Sequence, residues 1–386
     1  MTSKVVVTIN STGRQSASFI RAASAVGWHV RAQVHRNAGF VAAELAALAN
    51  VTLLEGDLLQ ADFLASLFDG ASLAFINTTH WGDEVAIGRA CAQAAKEAGV
   101  RHYIYSSMPD HSTCPGKGWK ALPMWSGKFA VENYVRQLSI PATFVYTGIY
   151  NNNFTSLPYP LFRMELQDDG SFVWQAPFHP NDPQPWLDAE HDVGPAVLQL
   201  FKMGPAHWRG QRVTLAFERL TPLQLCARFS RGVGRPVKYV QGPIHIAVSI
   251  PTGYREHLQA LEDTLGHKRA PYFGPDLEYP DEARRIWEGW RGIEEYAREV
   301  FPLEERANGL TWMDSESSSG DNDVDEEDDD GNGDEEDEET DGSVGTAAGA
   351  ATGPSTPSNV TVPTSGVRTP QTHPEGYADD FYVGSC

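Results

Sequence analysis

Short apolar, β-branched runs alternate with longer amphipathic stretches along the first 147 residues. The predicted strands are "KVVVTIN", "HVRAQVH", "VTLL", "LAFIN", "HYIYSS" and "ATFVYTG". The helices or helical turns predicted between them are "SFIRAASAV", "GFVAAELAAL", "FLASLF", "EVAIGRACAQAAKEAG" and "SGKFAVENYVRQL". Near-continuous apolar strands separated by helices are typical of a sheet covered on both faces. We therefore predict an α/β fold with a doubly wound parallel sheet over residues 1–150, whose ligands lie beyond the strands' carboxyl ends.

The alternation stops after residue 150, where proline-rich loops such as "SLPYPLF" and "HPNDPQPW" begin. An isolated helix is predicted over "DVGPAVLQLF", with Asp192 as its N-cap. A second helix is predicted over residues 281–301, where apolar residues recur at helical spacing on one face. These elements predict a smaller α+β second lobe over residues 151–313, interleaved with the last elements of the first lobe.

The charge of the chain, −21 in total, lies almost entirely in a C-terminal tail. Residues 314–386 contain 20 acidic residues and one basic residue, Arg368, which gives −19 and leaves 31 acidic against 29 basic residues for 1–313. The tail is also rich in Gly, Ala, Ser, Thr and Pro, so it cannot bury enough apolar surface to fold. We predict a disordered tail, either merely solubilising or attractive to basic partners.

Composition excludes several classes of protein. No apolar run reaches the roughly 18 residues of a membrane span, and no secretory signal precedes the first strand. The four cysteines lack metal-ligand spacing, and the acidic cluster in "DAEHDVG" reads as helix capping, so we predict no metal site. We expect an intracellular protein with free thiols, associated with neither membrane nor nucleic acid directly.

The loop "TINSTGRQSASFIR" follows the first strand and opens the first helix, which is the position of a dinucleotide-binding loop. Asn10 and Ser16 stand where a glycine-rich loop has its first and third glycines, and Gly13 remains where the backbone approaches a pyrophosphate. Asn tolerates left-handed geometry, and a small Ser allows helix and strand to pack closely. The helix N-terminus can bind phosphate, and Arg14 could add a charged contact. By itself the loop also fits an ordinary strand-to-helix turn.

Polar residues follow the next three strands. Strand two ends in His35 and Arg36 instead of a ribose-binding carboxylate, which favours NADP at least as much as NAD, although Arg36 could be an ordinary surface residue. Gly56 and Asp57 after strand three could meet the adenine. The residues after strand four that could meet the nicotinamide ribose are Asn77, Thr78 and Thr79.

Together with this loop, the motifs "YIYSSMPDHS", "PMWSGKFAVENYVRQL" and "GIYNNNFTSLPYPLF" resemble the NmrA-like family of atypical short-chain dehydrogenases. The resemblance covers residues 4–313. "WLDAEHDVGPA" and "EEYAREVFPLEE" resemble the branch of that family that regulates nitrogen metabolite repression. The acidic tail lies outside the resemblance.

The resemblance implies a Rossmann-type domain that binds NAD or NADP, preferably oxidised. It also implies a regulator that restrains a GATA-type zinc-finger activator, and hence a location in nucleus and cytoplasm. The residues it implies as cofactor contacts are Asn10, Ser11, Thr12, Gly13, Arg14, Gln15, His35, Arg36, Asn37, Gly56, Asp57, Asn77, Thr78, Thr79, Lys128, Tyr150, Asn151, Asn152 and Asn153.

The helix at 122–138 bears on whether the chain is an enzyme. Active short-chain reductases use a tyrosine phenol as proton donor and a lysine four residues later. Here Met124 occupies the phenol's position and Lys128 that of the lysine, so a binding residue is kept and the proton donor is lost. We predict no catalytic residues.

The alternative is an NADPH-dependent reductase of the isoflavone-reductase type, acting on a small carbonyl or enone substrate. In such an enzyme Lys128, Ser106 or Ser107 would assist hydride transfer. A displaced phenol is a further possibility; the candidates are Tyr103, Tyr105 and Tyr150.

For the partner, the nearly neutral body favours capture of a peptide in an apolar groove of the second lobe, with the tail adding long-range attraction. Trp287 and Trp290 are candidates for the groove wall, although both could equally be core residues.

Overall fold

The structure of the chain is a computed structural model that describes residues 4–80, 82–155, 164–244, 253–310 and 312–313. The acidic tail and the whole of "SLPYPLF" lie outside the described residues, so the predictions made for them stay predictions. Within the described residues no helix is long and apolar enough to cross a membrane.

A seven-stranded parallel sheet forms the centre of the first lobe, in the order β11-β6-β5-β4-β1-β2-β3. Its strands are β1 (Val5–Thr8), β2 (His29–Val34), β3 (Val51–Glu55), β4 (Leu73–Ile76), β5 (His102–Ser107), β6 (Ala142–Thr147) and β11 (Arg212–Leu215). The apolar residues of β1 and β4 are almost wholly buried, as expected for strands with helices on both faces. The predicted doubly wound sheet is confirmed, and its strand order reverses between β1 and β4.

Helices cover both faces of this sheet. They are α1 (Arg14–Ala25), α2 (Phe40–Ala46), α3 (Ala61–Phe68), α4 (Glu84–Glu97), α5 (Pro123–Gln137), α6 (Ala189–Met203), α7 (Pro205–Trp208) and α10 (Asp281–Ile286). Helix α6 packs closely on α1, because Gly194 lets the two backbones approach: a Cβ there would lie 2.2 Å from the carbonyl oxygen of Ser18. The chain after residue 150 therefore supplies α6, α7, β11 and α10 to the first lobe.

The second lobe holds two three-stranded sheets, ordered β12-β10-β7 and β13-β9-β8. Their strands are β7 (Ile149–Tyr150), β8 (Met164–Leu166), β9 (Phe172–Ala176), β10 (Gln184–Leu187), β12 (Glu218–Leu220) and β13 (Val237–Gln241). Its helices are α8 (Pro222–Val233), α9 (Tyr254–Leu261, continued by a π-helix at Glu262–His267), α11 (Ile293–Glu299) and α12 (Phe301–Ala307). Short 3-10 helices lie at His111–Thr113 and Asn151–Phe154. The predicted smaller α+β lobe is confirmed.

Two predictions about individual helices are wrong. Asp188, not Asp192, caps α6: its carboxylate accepts from the backbone N–H groups of Glu190 and His191, both at 3.1 Å, so the helix begins one turn earlier. The region 281–301 is not one helix, because α10 ends where Trp287 adopts an extended backbone and α11 starts only after Gly292. Apolar spacing alone did not reveal the glycine-containing break.

Candidate functional site

The loop between β1 and α1 is built from non-glycine residues in the way the sequence predicts. Asn10 adopts the left-handed conformation, with φ of 51°. Its backbone N–H donates to the side chain of Gln33 at 3.1 Å, and the next N–H donates to the backbone carbonyl of Gln33 at 3.1 Å. Ser16 is buried, and its hydroxyl donates to the carbonyl of Ile9 at 2.8 Å, which ties helix to strand. The turn is thereby fixed on both sides.

The N-terminus of α1 can receive an anion. Gly13 is its N-cap residue, no side chain caps the helix, and its first turn contains no acidic residue. Within that turn, no side-chain carboxylate occupies the first N–H groups or offsets the positive end of the helix dipole. This end of the helix lies at the reversal point of the sheet, where ligands of doubly wound folds bind.

Arg14 is not simply available for a phosphate. Its guanidinium is paired with the carboxylates of Glu190 and Glu304, which raise the pKa of the arginine against the opposing effect of burial. Glu304 also accepts from the hydroxyl of Tyr296 and, at 3.3 Å, from the amide of Asn152. Burial raises the pKa of Glu304 to about 7. Any phosphate contact by Arg14 must compete with these carboxylates.

The predicted adenosine end consists of loops after β2 and β3. His35, Arg36 and Asn37 are exposed, and the backbone N–H of Asn37 donates to Glu55 at 3.0 Å. Glu55 ends β3 opposite the last residue of β2, so a carboxylate stands beside this corner although β2 lacks one.

Gly56 and Asp57, at the same corner, have clear local roles. A Cβ on Gly56 would lie 2.3 Å from the ring of Phe63, so this glycine allows α3 to pack against the strand end. The carboxylate of Asp57 accepts from the N–H of Leu59 at 2.9 Å in the turn before α3.

Lys128 lies 1% exposed in a buried polar network at the end of β4. Its ammonium donates to the carbonyl of Thr78 and to the side chain of Asn77 at 3.5 Å, and it pairs with Glu84 at 3.0 Å. Glu84 also accepts from the hydroxyl of Thr78 at 2.8 Å, and that hydroxyl lies 2.8 Å from the hydroxyl of Tyr105. The ammonium thus has protein acceptors for all three protons. Thr79, the residue after Thr78, is half-buried.

Tyr103 and Tyr105, the two buried tyrosines of β5, are poor replacements for the phenol that Met124 lacks. Burial, with Glu84 adding to it, raises the pKa of Tyr105 well above its ordinary value, so its phenol holds its proton. Burial likewise raises the pKa of Tyr103. The backbone N–H of Met124 donates to Nδ1 of His257 at 3.4 Å, and burial lowers the pKa of that histidine to about 3. The imidazole beside Met124 is therefore neutral.

The rim after β6 closes the site from the second lobe. The hydroxyl of Tyr150 accepts from the side-chain amide of Gln15, and the side-chain Oδ1 of Asn152 accepts from the backbone N–H of Ala189 at 3.1 Å. Asn153 is half-buried. Tyr150 is fully buried within the core, which argues against a role as a free phenol.

Several buried polar atoms of this region have no hydrogen-bond partner among the residues that the structure describes. They are Ser11 Oγ, Gln15 Oε1 and both side-chain amide atoms of Asn151, all belonging to the predicted cofactor contacts. Unpaired buried polar groups are costly, and a polar ligand or water is the usual remedy. With the uncapped helix N-terminus, they fit a dinucleotide. Among the described residues no group of three or more His, Cys, Asp or Glu could hold a metal ion.

The family model that matches this chain is the NmrA-like family, over residues 1–297. The chain belongs to the NmrA-like family. Among its relatives is the nitrogen metabolite repression protein nmrA of Emericella nidulans, 56% identical over 348 residues, or 80% of this chain and 98% of the relative. The nitrogen metabolite repression protein nmr of Neurospora crassa is 55% identical over 355 residues, or 82% of this chain and 72% of the relative.

A solved structure extends the comparison to three dimensions. The crystal structure of the negative transcriptional regulator Nmra in complex with NADP superposes with a TM-score of 0.78 at 59% identity, covering 81% of this chain and all of that one. The same regulator has been solved with NAD. The NmrA-like resemblance inferred from the motifs is confirmed.

Sequence reasoning missed four residues that shape this NmrA-like site. Glu84 pairs with Lys128, Glu190 and Glu304 pair with Arg14, and His257 meets Met124. Each of the four lies in an element that is far along the sequence from the element of its partner. An acidic residue in the first turn of a helix was the one signal available for Glu84, and its usual interpretation is favourable interaction with the helix dipole.

Proposed function

We propose that this NmrA-like protein is an NAD(P)-binding negative regulator of nitrogen metabolite repression that acts by binding a transcription activator and does not catalyse hydride transfer. Two relatives that are 55% and 56% identical are nitrogen metabolite repression proteins, and a regulator of the same fold at 59% identity has been solved with NADP and with NAD. Both similarities cover four fifths of the chain.

The observation that carries the non-enzymatic reading is the residue pair on α5. Met124 has no exchangeable proton, and Lys128, one turn later, is held by Glu84, Thr78 and Asn77. The buried phenol of Tyr105 keeps its proton and bonds to Thr78. A reductase of the short-chain type needs a phenol whose pKa is lowered by the lysine, whereas here burial and Glu84 raise the pKa of the nearby phenol.

Binding of the dinucleotide would use the backbone more than side-chain charge. The N–H groups at the start of α1 would hold the pyrophosphate, with Gly13 allowing close approach. Exposed Arg36 would meet a 2'-phosphate when the ligand is NADP. Asn77 and Thr78 would meet the nicotinamide ribose, and Lys128 would reach it by exchanging one of its three protein acceptors for a ribose hydroxyl. A bound nicotinamide supplies the redox-sensitive ring, and the protein orients it.

For the partner, we propose a GATA-type zinc-finger activator, bound in nucleus and cytoplasm. Residues 1–313 carry only −2, so the folded lobes offer no strong anionic field to a basic DNA-binding domain, whereas the tail carries −19. Recognition by the lobes with electrostatic attraction by the tail follows from this distribution. Trp287 and Trp290 are both half-buried and pack against the first lobe's core, which limits the surface they offer to a groove.

One set of experiments tests the proposal. The full chain is titrated with NAD and NADP by calorimetry, and NADPH oxidation is followed at the nicotinamide absorbance with a panel of small ketones, enones and quinones. We expect binding without turnover; steady turnover would instead support the reductase. Binding of a purified GATA-type zinc finger is then measured for the full chain and for residues 1–313 at low and high salt. We expect the truncated chain to lose affinity at low salt only. Loss at both salt concentrations would make the tail itself the recognition element.

A further inference from the structure

Glu55 is the last residue of β3, the edge strand of the central sheet, and it is exposed. The register of the sheet places it opposite Val34, the last residue of β2. Its carboxylate accepts from the backbone N–H of Asn37 at 3.0 Å, in the loop after β2. An acidic side chain of β3 is therefore held against the loop that follows β2.

Gln33 fixes this corner relative to the loop between β1 and α1. Its buried side chain accepts from the N–H of Asn10 at 3.1 Å and donates to the carbonyl of Gly56, the residue after Glu55, at 3.1 Å. One side-chain amide thus joins the proposed pyrophosphate loop to the end of β3. In dinucleotide-binding sheets the adenosine ribose lies at the end of the second strand, which is the place where Glu55 contacts the chain.

The contact with Asn37 has two chemical consequences. Sheets that bind NAD place a carboxylate at the end of the second strand, where it accepts from the 2'-hydroxyl of the ribose. Here β2 is followed by His35 and Arg36, and Glu55 supplies a carboxylate to the same corner from the neighbouring strand. A 2'-phosphate would meet this negative charge and would have to compete with it for the N–H of Asn37.

We propose that Glu55 is a specificity-determining residue that favours NAD over NADP, because it accepts from the adenosine ribose of NAD and opposes the 2'-phosphate of NADP. The inference rests on the proposed dinucleotide-binding function and adds to it a second determinant of cofactor choice. Arg36 acts in the opposite direction by attracting the 2'-phosphate. The balance of these two opposite charges sets the ratio of the two affinities.

The test compares dissociation constants for NAD and NADP, measured by calorimetry on the full chain at low ionic strength, in the unmodified chain, Glu55→Gln and Asp62→Asn. Glutamine keeps the length of the side chain and an oxygen that can accept from Asn37, so this change removes the charge and leaves the loop contact. Asp62 is exposed in the first turn of α3, the helix that follows β3, and is outside the predicted cofactor contacts. Asp62→Asn therefore removes one acidic charge without touching Asn37. Thermal melting of each variant reports on the fold.

A second ligand separates direct contact with the ribose from an altered loop. NAD whose adenosine ribose lacks the 2'-hydroxyl is titrated into the unmodified chain and into Glu55→Gln. If the carboxylate accepts from that hydroxyl, its loss should weaken binding to the unmodified chain about ten-fold and binding to Glu55→Gln by no more than about three-fold.

We expect the ratio of NAD to NADP affinity to be the same in the unmodified chain and in Asp62→Asn. In Glu55→Gln the affinity for NAD should fall and that for NADP should rise, so that this ratio decreases about ten-fold.

Three results would overturn the inference. An unchanged ratio in Glu55→Gln, or equal weakening of both dinucleotides, would make Glu55 a structural tie for the β2 loop only. An equal effect of the missing hydroxyl in both proteins would remove the carboxylate from the ribose. A shift of the same size in Asp62→Asn would assign the effect to the general field of acidic residues. Failure of the unmodified chain to bind either dinucleotide would instead refute the proposed function.

Discussion

Gly13→Ala should separate dinucleotide binding from folding. The backbone of Gly13, with φ of −72° and ψ of 149°, is open to any L-residue, so alanine adds no backbone strain. The new Cβ would lie 2.9 Å from the side-chain nitrogen of Asn10 and 3.2 Å from its carbonyl oxygen. The first contact is with the end of a side chain that can move. Alanine also restricts the unfolded chain more than glycine does, which stabilises the folded state by about 0.4 to 1 kcal/mol. We therefore expect the free energy of unfolding to change by no more than about 1 kcal/mol in either direction.

The effect on binding should be much larger. A methyl group at Gly13 occupies space through which a pyrophosphate oxygen approaches the N–H groups of α1. Loss of one charge-assisted hydrogen bond costs about 1.5 to 3 kcal/mol, which raises the dissociation constant about 10- to 150-fold. Titration calorimetry with NADP measures the affinity, and urea unfolding of the same preparations measures the stability.

Gly292→Ala is the matched control for this change. Gly292 is also an N-cap glycine with extended backbone, at φ of −78°, and a Cβ there would meet its nearest neighbour at 3.3 Å. It begins α11 and is outside the predicted cofactor contacts, so NADP affinity should stay as in the unmodified chain. A Gly13→Ala protein that is folded and binds NADP within two-fold of normal would refute the assignment of this loop to the pyrophosphate.

Three further predictions follow from particular contacts. Gly194→Ala should lower the free energy of unfolding measured in urea, because the new Cβ would lie 2.2 Å from the carbonyl oxygen of Ser18 and overpacking costs about 1 to 3 kcal/mol. The better helix propensity of alanine offsets at most about 1 kcal/mol of this cost. Equal or higher stability of the variant would contradict the close packing of α6 on α1. The pKa of Glu304 is raised to about 7 from an ordinary 4.5, so this group contributes stability that is present below pH 4.5 and lost as the pH rises through 7. Glu304→Gln should therefore reduce the fall in the free energy of unfolding between pH 5, 6.5 and 8. An unchanged dependence on pH would contradict this prediction. Arg36→Gln should weaken NADP about ten-fold by calorimetry and leave NAD unchanged, whereas equal losses would assign Arg36 a general role.

The fold was predictable because its signals are local. Apolar runs in β1 and β4 and the helical stretches between strands repeat with a regularity that few other folds produce. The left-handed Asn10 was likewise predictable from residue type and position in the loop. The two wrong helix predictions arose where a sequence pattern continued across a change in the local backbone or offered more than one capping residue. The apolar spacing of 281–301 continues across the break at Trp287, and the acidic run before α6 offers two capping candidates of which Asp188 is used.

The charge state of the site could not be predicted from the loop and helix motifs. Arg14 and Lys128 were recognisable as cations near a phosphate and a ribose, but their carboxylate partners come from other elements. Glu304 follows Arg14 by 290 residues, and Glu84 precedes Lys128 on a different helix. No periodicity in one sequence relates such positions. Pairing of this kind depends on the fold bringing Glu304 of α12 to the start of α1 and packing α4 against α5.

This pairing changes how the cleft holds an anionic ligand. Both recognisable cations of the inner site are already balanced by carboxylates, so the backbone N–H groups at the start of α1 are left as its principal donors for phosphate. Backbone donors are fixed by the fold and do not distinguish NAD from NADP. We therefore expect selection between NAD and NADP to depend on Arg36, at the predicted adenosine end of the cleft. A protein without a proton donor at Met124 can therefore still respond to which dinucleotide it holds, because recognition of the ligand's charge needs no chemical step.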